Sequence, residues 1–197
     1  MDSMSSGTKA PHQEYLLQGT IHDDSSDILI HRLRGLCENY TKFHNQESVY
    51  SIKNAVGGSA VNIRLRRSLN PEQTDRIPWK IFYLGQPEIG DRNRQAMVRT
   101  HLDISCSEDA KAFVEDLGFK LDYEYTSQGW LFRKGRMRAI VSKIKHTDNT
   151  PVTTSHLVEL SMVSPTSNEQ VASDMHAFAE QLRPLVSLDK VDHNRVM

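Results

Sequence analysis

Cationic side chains recur along several predicted strands and are the residues best suited to bind an anion. Arg64 and Arg66 share one strand face, because alternate residues of a strand point to the same side. Further positive charge follows later in the chain, at Arg133, Arg136, Arg138, Lys143 and Lys145. These residues could line an anion-binding cavity or form a patch for acidic protein or nucleic acid. Solvated strand faces, with the charges offset by carboxylates such as Glu124 and Glu159, are the favoured interpretation.

Other catalytic and metal-binding patterns are missing from the sequence. Nine histidines are present, but none stands three or four residues from another histidine or a cysteine, as zinc ligands on one helix face would. The Gly57-Gly58 turn lacks the Lys-Ser/Thr of a phosphate-binding loop. No Gly-x-Ser-x-Gly elbow marks a nucleophile, although composition leaves a dispersed Ser/His/Asp triad open. We therefore predict no catalytic residue, no metal and no cofactor.

The strands that must position these side chains are predicted from period-two alternation. Leu121, Tyr123 and Tyr125 alternate with polar residues, and glycines in Gln128-Gly129 and Lys134-Gly135 indicate tight turns. This pattern predicts an antiparallel meander of Phe119–Ser127, Trp130–Lys134 and Met137–His146. Further strands are predicted at Glu14–Ile21, Val49–Lys53, Val61–Arg66, Trp79–Leu84, Ala96–Ile104 and Thr154–Val163. About eight or nine such strands close most simply into an antiparallel β-barrel with flanking helices.

Three helices are predicted to cover this barrel. The first runs from Ser26 to Asn39, and the second, Glu108–Leu117, is expected to bury Phe113, Val114 and Leu117. The third begins at a capping box formed by Ser167 and Gln170 and carries an apolar stripe at Val171, Met175, Phe178, Leu182 and Leu185. Pro184 predicts a kink or break in it. The stripe could pack back on the barrel, which is favoured, or join a partner helix.

Length and charge limit the class of protein. The 197 residues predict one domain, residues 13–197, preceded by a disordered tail, residues 1–12. The net charge of -1 gives no global field to attract nucleic acid. No apolar run approaches the roughly 20 residues of a membrane span. Cys37 and Cys106 are interpreted as reduced, buried thiols of an intracellular protein, with a disulfide left open.

Six phrases of the sequence carry a family resemblance. In chain order they are EYLLQGT, HRLRGLCEN, YLGQPEIGDRNR, LFRKGRM, LVELSMV and FAEQLRPLV, which begin at Glu14, His31, Tyr83, Leu131, Leu157 and Phe178. Together they resemble the animal form of subunit 18 of the Mediator complex, and the likeness extends from about Glu14 to Met197.

The resemblance implies a β-barrel related to the triphosphate tunnel hydrolases. It also implies pairing with Mediator subunit 20, a barrel itself, and the holding of a helix from the tail of subunit 8. This trio forms a movable jaw of the head module, which communicates with RNA polymerase II. The expectation is thus a non-enzymatic, nuclear coactivator subunit without membrane or small-molecule ligand, and with nucleic acid an unfavoured partner.

The tunnel hydrolases suggest an alternative that these residues can test. Their first strand carries Glu-x-Glu-x-Lys, in which two carboxylates bind a divalent metal and the lysine meets phosphate. The matching positions here are Glu14, Leu16 and Gln18, and a later strand offers Glu159 followed by Ser161. One carboxylate per pair is lost, so we expect no metal-dependent polyphosphate or nucleotide hydrolysis.

Residues that contact a partner are harder to place. A strand that runs into an unusual loop, together with apolar residues near Pro184, provides the candidates. We predict interface roles for Phe82, Tyr83, Leu84, Gln86, Asp91, Arg92, Leu185 and Val186.

Overall fold

The computed structural model describes residues 12–53, 60–70, 78–87, 95–165 and 169–190. The predicted tail lies outside these residues except for His12, with which the first strand begins. Asp91, Arg92 and Ser167 also lie outside them. The single domain of residues 13–197 stays a prediction.

Eight antiparallel strands close into a barrel, which confirms the predicted architecture. They are β1 (His12–His22), β2 (Asn39–Ile52), β3 (Val61–Ser68), β4 (Trp79–Pro87), β5 (Met97–Cys106), β6 (Lys120–Lys134), β7 (Met137–Lys145) and β8 (Ser155–Ser164). Their order around the barrel is β1-β5-β4-β3-β2-β6-β7-β8, and β8 pairs again with β1. Alternate side chains therefore face the lumen and the outside.

Two helices cover the outside of β6, β7, β8 and β1. Helix α1 (Ser26–Leu36) contributes Leu29 and Leu33. The predicted apolar stripe comes from helix α3 (Glu169–Glu180) and, at Leu182 and Leu185, from the segment that follows it. Both pack with outward residues of the four strands in one cluster, including Phe132 and Leu160. Arg32 holds the two helical regions together, since its Nη1 donates to the carbonyl of Arg183 at 2.9 Å.

Helix α3 (Glu169–Glu180) ends four residues before Pro184, so the break is confirmed. The chain then turns back along β1, where Gln18 and Asp189 exchange backbone hydrogen bonds of 3.0 and 2.9 Å. This close approach requires a glycine at position 19, because a Cβ there would lie 2.2 Å from the Ser187 carbonyl oxygen. The preferred alternative, in which the stripe packs on the barrel, is confirmed.

The opposite side of the barrel has less cover. Helix α2 (Ala110–Asp116) has only seven residues and lies over outward residues of β2, β3 and β4. Ala110 and Val114 are buried there against Tyr50, Leu65 and Trp79. The expectation that Phe113 and Leu117 are also buried is wrong: they are 53% and 56% exposed.

Two strand boundaries also differ from the prediction. Strand β6 (Lys120–Lys134) is continuous, and Gly129 lies within it instead of forming a turn with Gln128. A Cβ at Gly129 would lie 2.0 Å from the Val141 carbonyl oxygen, so the glycine permits a close backbone approach. By contrast, Gly135 has a φ of 54° and turns β6 into β7, as predicted.

The second difference concerns the chain after the first helix. Helix α1 ends at Leu36, and β2 already begins at Asn39, ten residues before the predicted strand. Tyr40 therefore belongs to β2, where its ring meets that of Trp130 edge-on at 5.7 Å. Cys37 and Cys106 are both free and partly buried. None of the helices in the described part of the chain is long and apolar enough to cross a membrane.

An outer ion-pair cluster fixes the connection between β1 and α1. Lys143 donates from Nζ to Asp23 Oδ1 at 2.7 Å and to the Thr153 carbonyl at 2.7 Å. His156 Nδ1 lies 2.9 Å from the same Asp23 oxygen. Burial lowers the pKa of His156, while the hydrogen bond from Lys143 is the main cause that lowers the pKa of Asp23. The cluster joins the short 3-10 helix Asp23–Ser25 to β7 and β8.

Candidate functional site in the barrel lumen

The barrel encloses a cavity of about 210 Å³ that is lined mainly by polar residues. Its lining comes from β1, β2, β3, β6, β7 and β8, because alternate residues of each strand face inward. The charged and amide members are Gln18, Asn45, Glu47, Arg64, Arg66 and Glu159. Arg64 and Arg66 thus line the lumen, where their side chains stay about one-third exposed beside Glu47.

Glu47 is the centre of the first lumen ion pair. Its side chain is only 3% exposed, and Oε1 accepts from Arg66 Nε at 2.9 Å and from Ser127 Oγ at 3.1 Å. Arg64 Nε lies 3.9 Å from Oε2, and neither of these two buried atoms has a hydrogen bond within the described residues. Glu47 therefore faces two guanidinium groups at once.

A second carboxylate, Glu159, lies in the same cavity. Its Oε1 accepts a hydrogen bond of 2.6 Å from Gln18 Nε2. Burial lowers the pKa of Arg64, but Tyr125, which is ionised only at high pH, and the carboxylates of Glu47 and Glu159 outweigh burial and raise the pKa. Burial also raises the pKa of Tyr125 to about 12. The cavity wall consequently keeps a charged guanidinium and a neutral phenol at neutral pH.

The third carboxylate, Glu14, is paired with arginines of two other strands. Arg99 donates to Glu14 Oε2 from Nη2 at 2.7 Å and from Nε at 2.8 Å. Arg138 Nη2 lies 3.9 Å from the other carboxylate oxygen. The pairing of Arg138 with Ser161 in β8 and its contact with Glu14 place its side chain inside the barrel.

The three lumen carboxylates are all paired with groups of the barrel wall. A tight magnesium site needs several oxygen ligands in a near-octahedral array. Here two of the carboxylates accept from arginine and the third from an amide, and four guanidiniums raise the local positive potential. Among the described residues, no group of three or more His, Cys, Asp or Glu could hold a metal ion.

The inward positions of Glu14, Gln18 and Glu159 agree with those that the family resemblance implied, whereas Glu47 and Arg99 were not predicted. Both stand in strands whose inner face is polar, so hydrophobic alternation does not mark them. Phe43, Asn45 and Glu47 stand at alternate positions and share one strand face, and this spacing could have indicated that Glu47 lies with Asn45 in the lumen.

The predicted interface residues do not gather in one place. Phe82 faces the lumen, where its ring lies 4.9 Å from Arg66 Cζ, whereas Tyr83 is 37% exposed on the outside. Gln86 is exposed. Leu185 packs against the outer core, and Val186 is buried within it. The Leu84 side chain, like Asp91 and Arg92, lies outside the described part of the structure.

The family model and the sequence relatives that match this chain all indicate the same family. A family model described as Med18 protein matches residues 13–196. Mediator of RNA polymerase II transcription subunit 18 of Aedes aegypti is 46% identical over 190 residues, which cover 94% of this chain and 87% of the relative. The Danio rerio protein of the same name is 45% identical over 193 residues, which cover 93% of this chain and 91% of the relative.

Solved structures agree on the barrel. A chain of the Schizosaccharomyces pombe Mediator head module aligns with a TM-score of 0.71 at 14% identity and covers 91% of this chain and 98% of its own length. The RNA triphosphatase domain of a mimivirus mRNA capping enzyme aligns with a TM-score of 0.55 at 10% identity, with 91% and 92% covered. At these identities the structures establish the fold, while the family model and the sequence relatives establish descent. The chain belongs to the Med18 protein family.

Proposed function

We propose that this chain is a non-enzymatic subunit of the Mediator head module, in which it acts as a scaffold between transcription regulators and RNA polymerase II. Family membership over residues 13–196 and the names of the sequence relatives support the Mediator assignment. A role in the nucleus follows from the proposal.

The pairing of the lumen carboxylates with arginines and an amide is the observation that carries the non-enzymatic part. A metal-dependent hydrolase must offer carboxylate oxygens to the cation and keep its positive side chains for the phosphates. In this barrel Arg66 and Arg99 bond directly to Glu47 and Glu14. The charges thus stabilise the wall of the barrel, and the outer surface remains for partner proteins.

The partners that fit the proposal are the second barrel, Mediator subunit 20, and a helix of subunit 8. A stable assembly should bury on the order of 1,200–2,000 Å² per interface. Co-expression of the chain with both counterparts should yield one ternary species in size-exclusion chromatography. Elution of the chain alone at all micromolar concentrations would contradict the proposal.

A metal-dependent triphosphate hydrolase is the second candidate. It is favoured by the fold likeness to an RNA triphosphatase domain and by the three carboxylates that face the same lumen. The arginine pairing argues against it. We expect no turnover of tripolyphosphate with Mg²⁺ or Mn²⁺ above that of the Glu47→Gln protein. Turnover that Glu14→Ala or Glu159→Ala abolishes would establish the hydrolase instead.

A further inference from the structure

The loop between β7 and β8 carries a threonine that is followed directly by a proline. Proline-directed protein kinases phosphorylate the hydroxyl of Ser-Pro and Thr-Pro dipeptides, and the sequence contains two of them, Thr150-Pro151 and Ser164-Pro165. Ser164 is the last residue of β8, pairs with Gln13 of β1 and is only 4% exposed. Thr150 and Pro151 are both exposed. A kinase could therefore reach Thr150 but not Ser164.

The stretch around Thr150 is exposed, but it is anchored at its end. All residues from 146 to 154 are exposed, and in extended form they would span about 30 Å. Lys143 fixes the end of this stretch, because its Nζ donates to the carbonyl oxygens of Thr153 and Ser155 at 2.7 and 3.4 Å. A kinase binds its substrate as an extended segment of several residues. The loop offers such a segment without unfolding of the barrel.

The tip of the loop is closed by hydrogen bonds of its own. The backbone N–H groups of Asn149 and His146 donate to the carbonyls of His146 and Thr150 at 3.0 and 2.8 Å. Asp148 Oδ1 accepts from the Thr150 hydroxyl at 2.6 Å and from the Thr150 N–H at 2.9 Å. These two bonds are the main causes that lower the pKa of Asp148, so its carboxylate is charged at neutral pH. The Thr150 hydroxyl must therefore leave Asp148 before a kinase can use it.

From this arrangement we propose that Thr150 is a phosphorylation site for a proline-directed protein kinase, and that Asp148 restrains the Thr150 hydroxyl until the loop tip opens. In the transfer, the Thr150 Oγ1–H bond breaks and its proton passes to the catalytic aspartate of the kinase. Oγ1 forms a bond to the γ-phosphorus of MgATP, and the bond from that phosphorus to the β–γ bridging oxygen breaks, so that ADP leaves with the electron pair. The inference goes beyond the proposed function and is independent of it, since the loop alone carries the site.

Phosphorylation would also change the loop itself. A phosphothreonine carries about −1.5 to −2 charges at pH 7, and its Oγ1 can no longer donate to Asp148. The phosphate and the Asp148 carboxylate would then repel each other where a hydrogen bond held them together. Asn149 has a φ of 70°, a conformation that is uncommon outside glycine, so the tip should relax once these bonds are lost. Modification therefore opens the tip of the β7–β8 loop.

The test incubates the full chain with MgATP and two activated proline-directed kinases, one mitogen-activated and one cyclin-dependent. At least one of them should transfer one phosphate per chain, which peptide mass spectrometry should locate at Thr150. Thr150→Val should abolish the transfer, whereas Thr150→Ser should keep it because serine retains the hydroxyl. Pro151→Ala leaves the acceptor in place but should lower kcat/KM at least about tenfold, because the kinase loses its contact with the proline ring. Ser164→Ala is the matched control and should leave the rate unchanged.

A second variant tests the restraint by Asp148. Asp148→Ala should be phosphorylated about two- to tenfold faster, because one hydrogen bond no longer has to open before the hydroxyl can react. Asp122→Ala is its control: Asp122 is an exposed residue of β6 that accepts a hydrogen bond of 2.9 Å from Ser51. It should react like the wild-type chain. Amide exchange at residues 146–150 should become faster on phosphorylation and return to its first rate after phosphatase treatment.

Each contrary result has a definite meaning. The site is refuted if neither kinase phosphorylates the wild-type chain, or if Thr150→Val accepts as much phosphate as wild type. Phosphate at Ser164, or a Pro151→Ala protein that reacts as fast as wild type, also overturns it. Equal rates for Asp148→Ala and Asp122→Ala would refute the restraint, and amide exchange that phosphorylation leaves unchanged would refute the opening of the tip.

Discussion

Replacement of Glu47 by glutamine provides a quantitative test of the role of the lumen charges. The substitution keeps the shape of the side chain but leaves Arg64 and Arg66 facing a neutral amide. Removal of one member of a fully buried ion pair costs about 3–5 kcal/mol. The Arg64 and Arg66 side chains are 33% and 34% exposed, so solvent screens part of their uncompensated charge. We therefore expect a loss of about 2–3 kcal/mol in the free energy of unfolding.

In a chain of this size that loss corresponds to a decrease in Tm of roughly 4–12 °C. Urea unfolding followed by tryptophan fluorescence would give the free energy directly. Glu180→Gln is the matched control: Glu180 pairs with Arg183 at 3.1 Å, but both side chains are about half exposed. It should remain within about 1 kcal/mol of wild type. Adding Arg66→Met to Glu47→Gln should recover part of the loss, because it removes an unpaired cation.

A Glu47→Gln protein as stable as the Glu180→Gln control would refute this reasoning. The lumen pairs would then contribute nothing measurable to the barrel, and their arrangement would need another explanation.

Two further predictions concern backbone packing and pH. Gly129→Ala should lower the free energy of unfolding by about 3 kcal/mol or more, because the new Cβ collides with backbone atoms of β7. Gly35→Ala in α1 meets no other atom and should raise the free energy of unfolding by about 0.5–1 kcal/mol. Urea unfolding of both proteins measures these changes, and equal midpoints for the two variants would contradict the prediction. Burial lowers the pKa of His156 and His101 below 6.5, so the unfolded chain binds more protons and stability should fall as pH drops from 6.5 through the folded-state pKa values. His156→Asn should reduce this slope below about pH 6.5, and an unchanged slope would exclude His156 as a cause.

The barrel was predictable because apolar outer faces leave a period-two signal in most strands. Prediction failed in β2, where Phe43, Asn45 and Glu47 face the lumen and Tyr40, Lys42 and His44 take the alternate positions, so neither face is uniformly apolar in the sequence. It also failed at Gly129, because a glycine required by close strand contact resembles a glycine required by a turn. The difference depends on Val141, a residue of the neighbouring strand that the local sequence does not reveal.

The functional surfaces show the same limit. Glu14, Gln18 and Glu159 were placed inside the barrel by family resemblance, while their partners on other strands emerged only with the register. The burial of Phe113 and Leu117 was expected from an apolar helix stripe. A stripe indicates which side chains seek an apolar contact, but it does not tell whether the chain itself or another molecule provides that contact.

Calorimetric titration of the wild-type chain with Mn²⁺ would show whether the lumen carboxylates are available to a cation. We expect no saturable heat up to millimolar Mn²⁺, with or without tripolyphosphate, because these carboxylates are already paired. Binding of one Mn²⁺ per chain with a micromolar Kd, abolished by Glu47→Gln or Glu14→Gln, would contradict it.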